Sequence, residues 1–168
     1  LDMLQSEEGL YALKKNARTL KERAVLSNFT FMESIHAKTY GTILISLNTF
    51  KNIEEIYNWM NNDRRMQFKA KKINDIYQNG TPMQVKVASV FLEGILYYSN
   101  FFIPLWYRGQ NKLANLAELI KLVIRDESVH GTYLGYKFRQ DFNELSITEQ
   151  ENFTNWMYSF LEELLDNE

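Results

Sequence analysis

One stretch decides how this chain folds: Phe29-Thr-Phe-Met-Glu33-Ser-Ile-His36-Ala-Lys-Thr-Tyr40. Each residue of an α-helix turns about 100° from the one before, so His36 lies roughly 60° from Glu33, and Tyr40 returns to within about 20° of it. A carboxylate, an imidazole and a phenol therefore share one face of a predicted helix.

A second stretch repeats the carboxylate and the imidazole: Asp126-Glu127-Ser-Val-His130. The chain contains only two histidines, and each stands three residues after a glutamate. Residues three apart on a helix are neighbours on its surface, so each pair points inward or outward together. Two predicted helices therefore each present a Glu/His pair.

The distribution of helix breakers favours long helices. The chain has two prolines and seven glycines in 168 residues, and strand-like alternation is scarce. With 45% hydrophobic residues, this length predicts one all-α domain, residues 1–168, with a substantial core. We predict helices at about residues 1–17, 20–48, 53–60, 63–78, 83–107, 112–139 and 146–165.

The beginning of the chain reads as the interior of a helix. No capping residue precedes Leu1, although a helix normally has one. We therefore expect this domain to be the core portion of a longer chain.

One acid interrupts the most apolar of the predicted helices. Glu93 stands in Val90-Phe-Leu-Glu93-Gly-Ile-Leu, within a helix that is apolar on all sides and is therefore expected to be buried. An isolated buried carboxylate is costly, so it must be neutralised, paired or bound to a metal ion.

Four predicted helices can bring acid ligands to one internal point. One carboxylate from each of two helices, with a Glu-x-x-His pair from each of two others, is typical of a dimetal-carboxylate bundle. Four carboxylates also offset the charge of two divalent cations in a dry core. We predict two bridging glutamates and one further pair at each ion: Glu33 and Glu127 as bridges, Asp2 with His36, and Glu93 with His130.

Composition excludes several other classes. The absence of cysteine rules out disulfides, thiolate metal sites and a cysteine nucleophile. A net charge of −2 gives no reason to expect nucleic acid or an anionic membrane as a partner. No apolar run is expected to approach a membrane span, and the signal-peptide pattern is missing, which together predict a cytoplasmic protein.

Each of these residues also has an ordinary structural explanation. A Glu-x-x-His pair is more often a surface ion pair or a capping contact, and a buried acid is often simply hydrogen-bonded. Their joint occurrence, with both histidines used, favours a metal site. The functions left open by the residues are a redox dimetal protein, a ferritin-like metal-storage protein or dimetal oxidase, and a helical scaffold with surface Glu/His pairs.

Three phrases resemble a known family. Residues 31–40, 91–98 and 124–137 are closely similar to the radical-generating small subunit of class Ib ribonucleotide reductase. The resemblance extends over essentially the whole chain. It implies a ferritin-like helical bundle with a dimetal site in its core.

The resemblance also implies roles for individual residues. Tyr40 matches the radical-bearing tyrosine, and Asp126 matches an aspartate that hydrogen-bonds the first histidine. A radical needs apolar walls around it, and Phe101 and the turn that contains Tyr97 are candidates to supply them, although the family more often has phenylalanine at the position of Tyr97. The family's metal ligands are matched by Asp2, Glu33, His36, Glu93, Glu127 and His130.

The implied cofactors are two manganese or two iron ions per chain and a tyrosyl radical. The implied activity is that of ribonucleoside-diphosphate reductase, in which the small subunit lends its oxidising equivalent to a separate, large catalytic subunit. A flavodoxin-like activator and a second copy of the chain are the other partners that the resemblance implies.

Overall fold

The computed structural model describes residues 1–168, and its regular structure is entirely helical, so the predicted fold class is confirmed. Two of the seven helical rods contain a central π-helical turn. The bounds are Asp2–Leu4, Gln5–Gly9 (π) and Leu10–Lys15 for α1, Leu20–Leu47 for α2, Phe50–Asn62 for α3, Arg64–Asn79 for α4, Pro82–Phe91, Leu92–Leu96 (π) and Tyr97–Gly109 for α5, Ala114–Phe142 for α6 and Ile147–Asn167 for α7.

Local capping explains where several helices begin. Ser146 accepts a hydrogen bond from the backbone N–H of Glu149, whose carboxylate returns to the Ser146 N–H at 2.9 Å, as the sequence predicts. Thr81 caps α5 in the same way, with Pro82 in the first helical position, where a missing N–H costs nothing.

Four helices surround the interior. The rod α1 packs on α2 and α5, while α6 packs on α5 and α2. The centre of α5 is almost inaccessible, since Leu92 and Leu96 are at most 1% exposed, and both belong to one continuous hydrophobic core. The shorter α4 closes one side by contacting α1, α5 and α7.

The composition of α5 corrects one sequence expectation. By length and composition Pro82–Gly109 could cross a membrane, since it contains an 18-residue window with a mean hydropathy of 1.2. The expectation that no apolar run approaches a span was therefore wrong. Half of that window is buried inside the structure, as in the core helix of a bundle.

Candidate metal centre

The structure brings the six predicted ligand residues together between α1, α2, α5 and α6. They form two overlapping groups, in each of which the ligand atoms lie within 4.8 Å of one another. Glu33 and Glu127 belong to both groups. The first group is completed by Asp2 and His36, and the second by Glu93 and His130.

The two shared glutamates lie between the two imidazoles. Glu127 presents one oxygen to each ring, with Oε1 3.0 Å from Nδ1 of His36 and Oε2 3.1 Å from Nδ1 of His130. Oε1 of Glu33 lies 3.0 Å from Nδ1 of His130 and 3.6 Å from Nδ1 of His36. This arrangement suits carboxylates that bridge two ions.

Several ligand atoms in this cluster are buried and make no hydrogen bond of good geometry, although some of them lie 3.0–3.6 Å from one another. A buried, unsatisfied polar atom costs about 1–3 kcal/mol and is rare in native proteins. Here the lone pairs converge on a common region, where divalent cations would satisfy them, and the oxygen and nitrogen donors suit manganese or iron. The atoms are both oxygens of Glu33, Oε2 of Glu93, Oε1 of Glu127 and Nδ1 of His36.

Burial changes the proton affinity of the terminal carboxylates. Burial raises the pKa of Asp2 to about 6, and the neighbouring Glu33 carboxylate adds to the rise. Burial also raises the pKa of Glu93 well above its ordinary range. Glu127 behaves in the opposite way, because its contacts with His130 and His36 outweigh burial and hold its pKa below the ordinary range.

Both imidazoles bind protons more tightly than free histidine. Burial alone would lower the pKa of His36, but contacts with Glu127 and Glu33 outweigh it and raise the pKa to about 10. The same balance, with Glu93 as a third carboxylate, raises the pKa of His130 to about 11. Protons and metal ions therefore compete for the same nitrogen lone pairs.

This competition predicts that Mn²⁺ affinity rises with pH. At neutral pH both histidines carry a proton that the metal must displace, so the apparent affinity should increase about tenfold per pH unit for each proton released. Calorimetric titration of Mn²⁺ in two buffers of different ionisation enthalpy counts these protons. An affinity that stays constant between about pH 6 and pH 8 would contradict the prediction.

Asp126 lies behind the first imidazole. Its Oδ2 is 3.3 Å from Nε2 of His36, on the ring edge opposite the carboxylate cluster. Such a contact orients a ligand histidine and selects its tautomer. The second imidazole has no such partner at Nε2, but the ring of Phe29 lies 4.2 Å from that of His130, centroid to centroid.

The three aromatic residues singled out in the sequence lie close to this cluster or in the adjoining core. Tyr40 is half-buried, and burial together with the charges of Asp2 and Glu127 raises its pKa, so the phenol keeps its proton. Tyr97 is 4% exposed, and its hydroxyl has no hydrogen-bond partner. Phe101 is buried in the hydrophobic core against which Tyr40 packs.

Three further polar residues around Glu93 were missed in the sequence. Gln5, Tyr77 and Ser89 form a buried hydrogen-bonded group, in which Gln5 donates to Glu93 at 2.6 Å. The only signal for Gln5 is its position three residues after Asp2, which places it near that acid on α1. Tyr77 and Ser89 carry no motif that would have identified them.

The comparisons with known proteins agree with this geometry. The family model "Ribonucleotide reductase, small chain" matches residues 1–168. Ribonucleoside-diphosphate reductase 2 subunit beta of Escherichia coli is 41% identical over 168 residues, which cover all of this chain and 53% of that relative. The subunit beta of Mycobacterium leprae is 39% identical, again over all of this chain and 52% of that relative.

A solved structure shares the fold. The crystal structure of dimanganese(II)-NrdF from Streptococcus sanguinis superposes with a TM-score of 0.96 at 57% identity, covering 99% of this chain and 59% of that chain. This chain thus spans about half the length of the curated relatives that it matches. It belongs to the ribonucleotide reductase small chain family.

Proposed function

We propose that residues 1–168 are a single ferritin-like domain, the radical-generating core of a ribonucleoside-diphosphate reductase small subunit. The observation that carries this proposal is the convergence of buried ligand atoms without hydrogen-bond partners on one region beside Tyr40. The similar streptococcal protein is a dimanganese(II) form, which supports a pair of manganese ions here. Iron suits the same oxygen and nitrogen donors.

In this proposal each ion has one histidine and one terminal carboxylate of its own. Asp2 and His36 would hold the first ion, Glu93 and His130 would hold the second, and Glu33 and Glu127 would be shared by both. The bridging role of Glu127 is supported by its two oxygens, which face different imidazoles at 3.0 and 3.1 Å. Glu33 is the second bridge, since it belongs to both groups of ligand atoms.

Tyr40 is the proposed radical site. When bound, a metal pair would supply the oxidising power for a one-electron oxidation of this phenol. Oxidation makes a phenol strongly acidic, so a base must accept its proton; the Asp2 carboxylate, whose charge acts on Tyr40, is our candidate. The buried side chains of Tyr97 and Phe101 exclude water and reductants that would quench the radical.

Asp126 and His36 are proposed to connect the centre to a partner. Asp126 is partly exposed, with 18% of its side chain accessible, and its carboxylate contacts the imidazole of His36. This pair links the protein surface to the first metal position. We infer that the partner is the large catalytic subunit, which uses this oxidising equivalent only to initiate the reduction of ribonucleoside diphosphates, while a separate reductant supplies the electrons.

Two other partners follow from the same proposal. A flavodoxin-like activator would deliver the oxidant, and a surface pocket lined by Gly94, Tyr98 and Gly131 lies next to Glu127, whose side chain is buried. A second copy of the chain would form a homodimer. We place the assembled protein in the cytoplasm, where ribonucleotides are reduced.

Metal stoichiometry distinguishes this function from ferritin-like storage. The chain should bind two Mn²⁺ or two Fe²⁺ ions, because the cluster offers six ligand residues in two overlapping groups. Elemental analysis of metal-loaded protein after gel filtration measures the ratio. Uptake of many ions per chain would favour storage, and turnover of an organic substrate without a radical would favour an oxidase.

A further inference from the structure

Glu93 is attached to a buried polar group outside the ligand cluster. Nε2 of Gln5 donates a hydrogen bond to Oε1 of Glu93 at 2.6 Å, and the hydroxyl of Tyr77 donates to Oε1 of Gln5 at 2.5 Å. The hydroxyl of Ser89 lies 3.3 Å from that of Tyr77. All four side chains are at most 5% exposed, so water does not compete for these bonds.

The chemistry of the amide gives this chain of bonds a direction. The Gln5 side chain accepts only through its oxygen and donates only through its nitrogen. Because Tyr77 donates to the oxygen, the nitrogen is turned towards Glu93. A neutral donor is thereby held permanently against Oε1 of Glu93.

The two oxygens of Glu93 are therefore not equivalent. Oε1 is engaged by Gln5, whereas Oε2 is buried without a hydrogen-bond partner and lies 3.5 Å from Nδ1 of His130. Oε2 has both lone pairs free, whereas the hydrogen bond from Gln5 occupies one of the two lone pairs of Oε1. The hydrogen bond from Gln5 thus selects which oxygen is presented to an ion.

The backbone is shaped to allow this contact. Gln5 and Glu93 both lie in π-helical turns, which re-aim side chains relative to a regular helix. Gly9, at the end of the first of these turns, lies directly against Gln5 and Tyr77. A Cβ atom at this position would be 2.7 Å from the Tyr77 ring, so a larger residue would displace the pair.

We propose that Gln5, Tyr77 and Ser89 form a neutral tether that fixes Glu93 as a one-oxygen ligand of the second metal position. These are positioning residues, since they act on the ion only through Glu93. The inference rests on the proposed dimetal function. The tether predicts that a change at Gln5 weakens binding of the second ion but not of the first. The first position has Asp2 and His36, and its histidine is contacted by Asp126 instead.

The test replaces Gln5 with methionine, which keeps the length and volume of the side chain but has no N–H donor. Mn²⁺ is titrated into the metal-free protein, and free Mn²⁺ is counted by its electron paramagnetic resonance signal. In the Gln5→Met variant one ion should bind as in the wild type, while the second binds about 10- to 100-fold more weakly. At one equivalent the spectrum should be that of an isolated Mn²⁺ ion rather than a coupled pair.

Ser6 provides the matched control. It lies in the same π-helical turn and is similarly buried, but its hydroxyl bonds to the backbone oxygen of Thr30 and to Ser34, away from the ligands. The Ser6→Ala variant loses hydrogen bonds of 3.1 and 3.2 Å in the same turn without changing any contact with Glu93. It should still bind both ions with wild-type affinity.

The outcomes separate the tether from the dimetal centre itself. Unchanged affinity at both positions in Gln5→Met overturns the tether, and so does equal loss at both, which indicates general damage. If Gln5→Met does not fold, Tyr77→Phe removes only the hydroxyl that orients the amide, and its second ion should also be selectively weakened. A wild-type chain that binds no pair of ions refutes the proposed function and the tether with it.

Discussion

The Tyr40→Phe variant should give no tyrosyl radical signal after loading with manganese or iron and treatment with oxidant. In our proposal the phenol of Tyr40 loses one electron and its hydroxyl proton, whereas a phenylalanine ring has no hydroxyl proton and is much harder to oxidise. Tyr40 is half-buried next to the acid cluster, and the substitution removes only one oxygen. Electron paramagnetic resonance should therefore show loss of the signal to the baseline, with both ions retained.

Tyr97→Phe is the matched control for this experiment. Its hydroxyl is also buried near the cluster, with Asp2 and Glu33 among the charges that act on it, but it has no hydrogen-bond partner. The radical signal should persist in Tyr97→Phe. A signal that survives in Tyr40→Phe and disappears in Tyr97→Phe would move the radical to Tyr97.

Helical periodicity predicted two pairs of the ligand cluster, and the ligand pattern of dimetal-carboxylate bundles added Asp2 and Glu93. Glu33 with His36, and Glu127 with His130, are three residues apart, and that spacing alone places each pair on one face. Glu93 stood out because an acid is rare in an apolar helix. The helix bounds were also predicted to within a few residues, since glycine, proline and capping residues mark most of the ends.

The remaining features depend on tertiary contacts that periodicity does not encode. The π-helical turns Gln5–Gly9 and Leu92–Leu96 each insert one residue into a helix, and no proline or capping residue in the sequence indicates where. Tyr77 reaches Gln5 from a basic helix, across 72 positions of sequence. A contact of this kind can be identified only from the packing of the helices in three dimensions.

The Glu127→Ala variant should bind neither ion, whereas the Glu93→Ala variant should still bind one. Glu127 contacts both imidazoles with different oxygens, so its removal takes one ligand from each position. We expect metal content to fall from two ions per chain towards none, with affinity lowered by more than about 100-fold.

Two comparisons make the Glu127 result specific. Glu93→Ala removes a ligand from the second position only, so that variant should keep one ion. Glu118 lies on the same helix, exposed and paired with Lys121 at 2.7 Å, and Glu118→Ala should keep both ions. Elemental analysis after gel filtration measures the metal content of each variant, with thermal unfolding of the metal-free protein as the check on folding. No other group in the cluster presents separate oxygens to the two histidines, so none could replace Glu127 as this kind of bridge. If Glu127→Ala retains two ions, Glu127 is therefore not a bridging ligand.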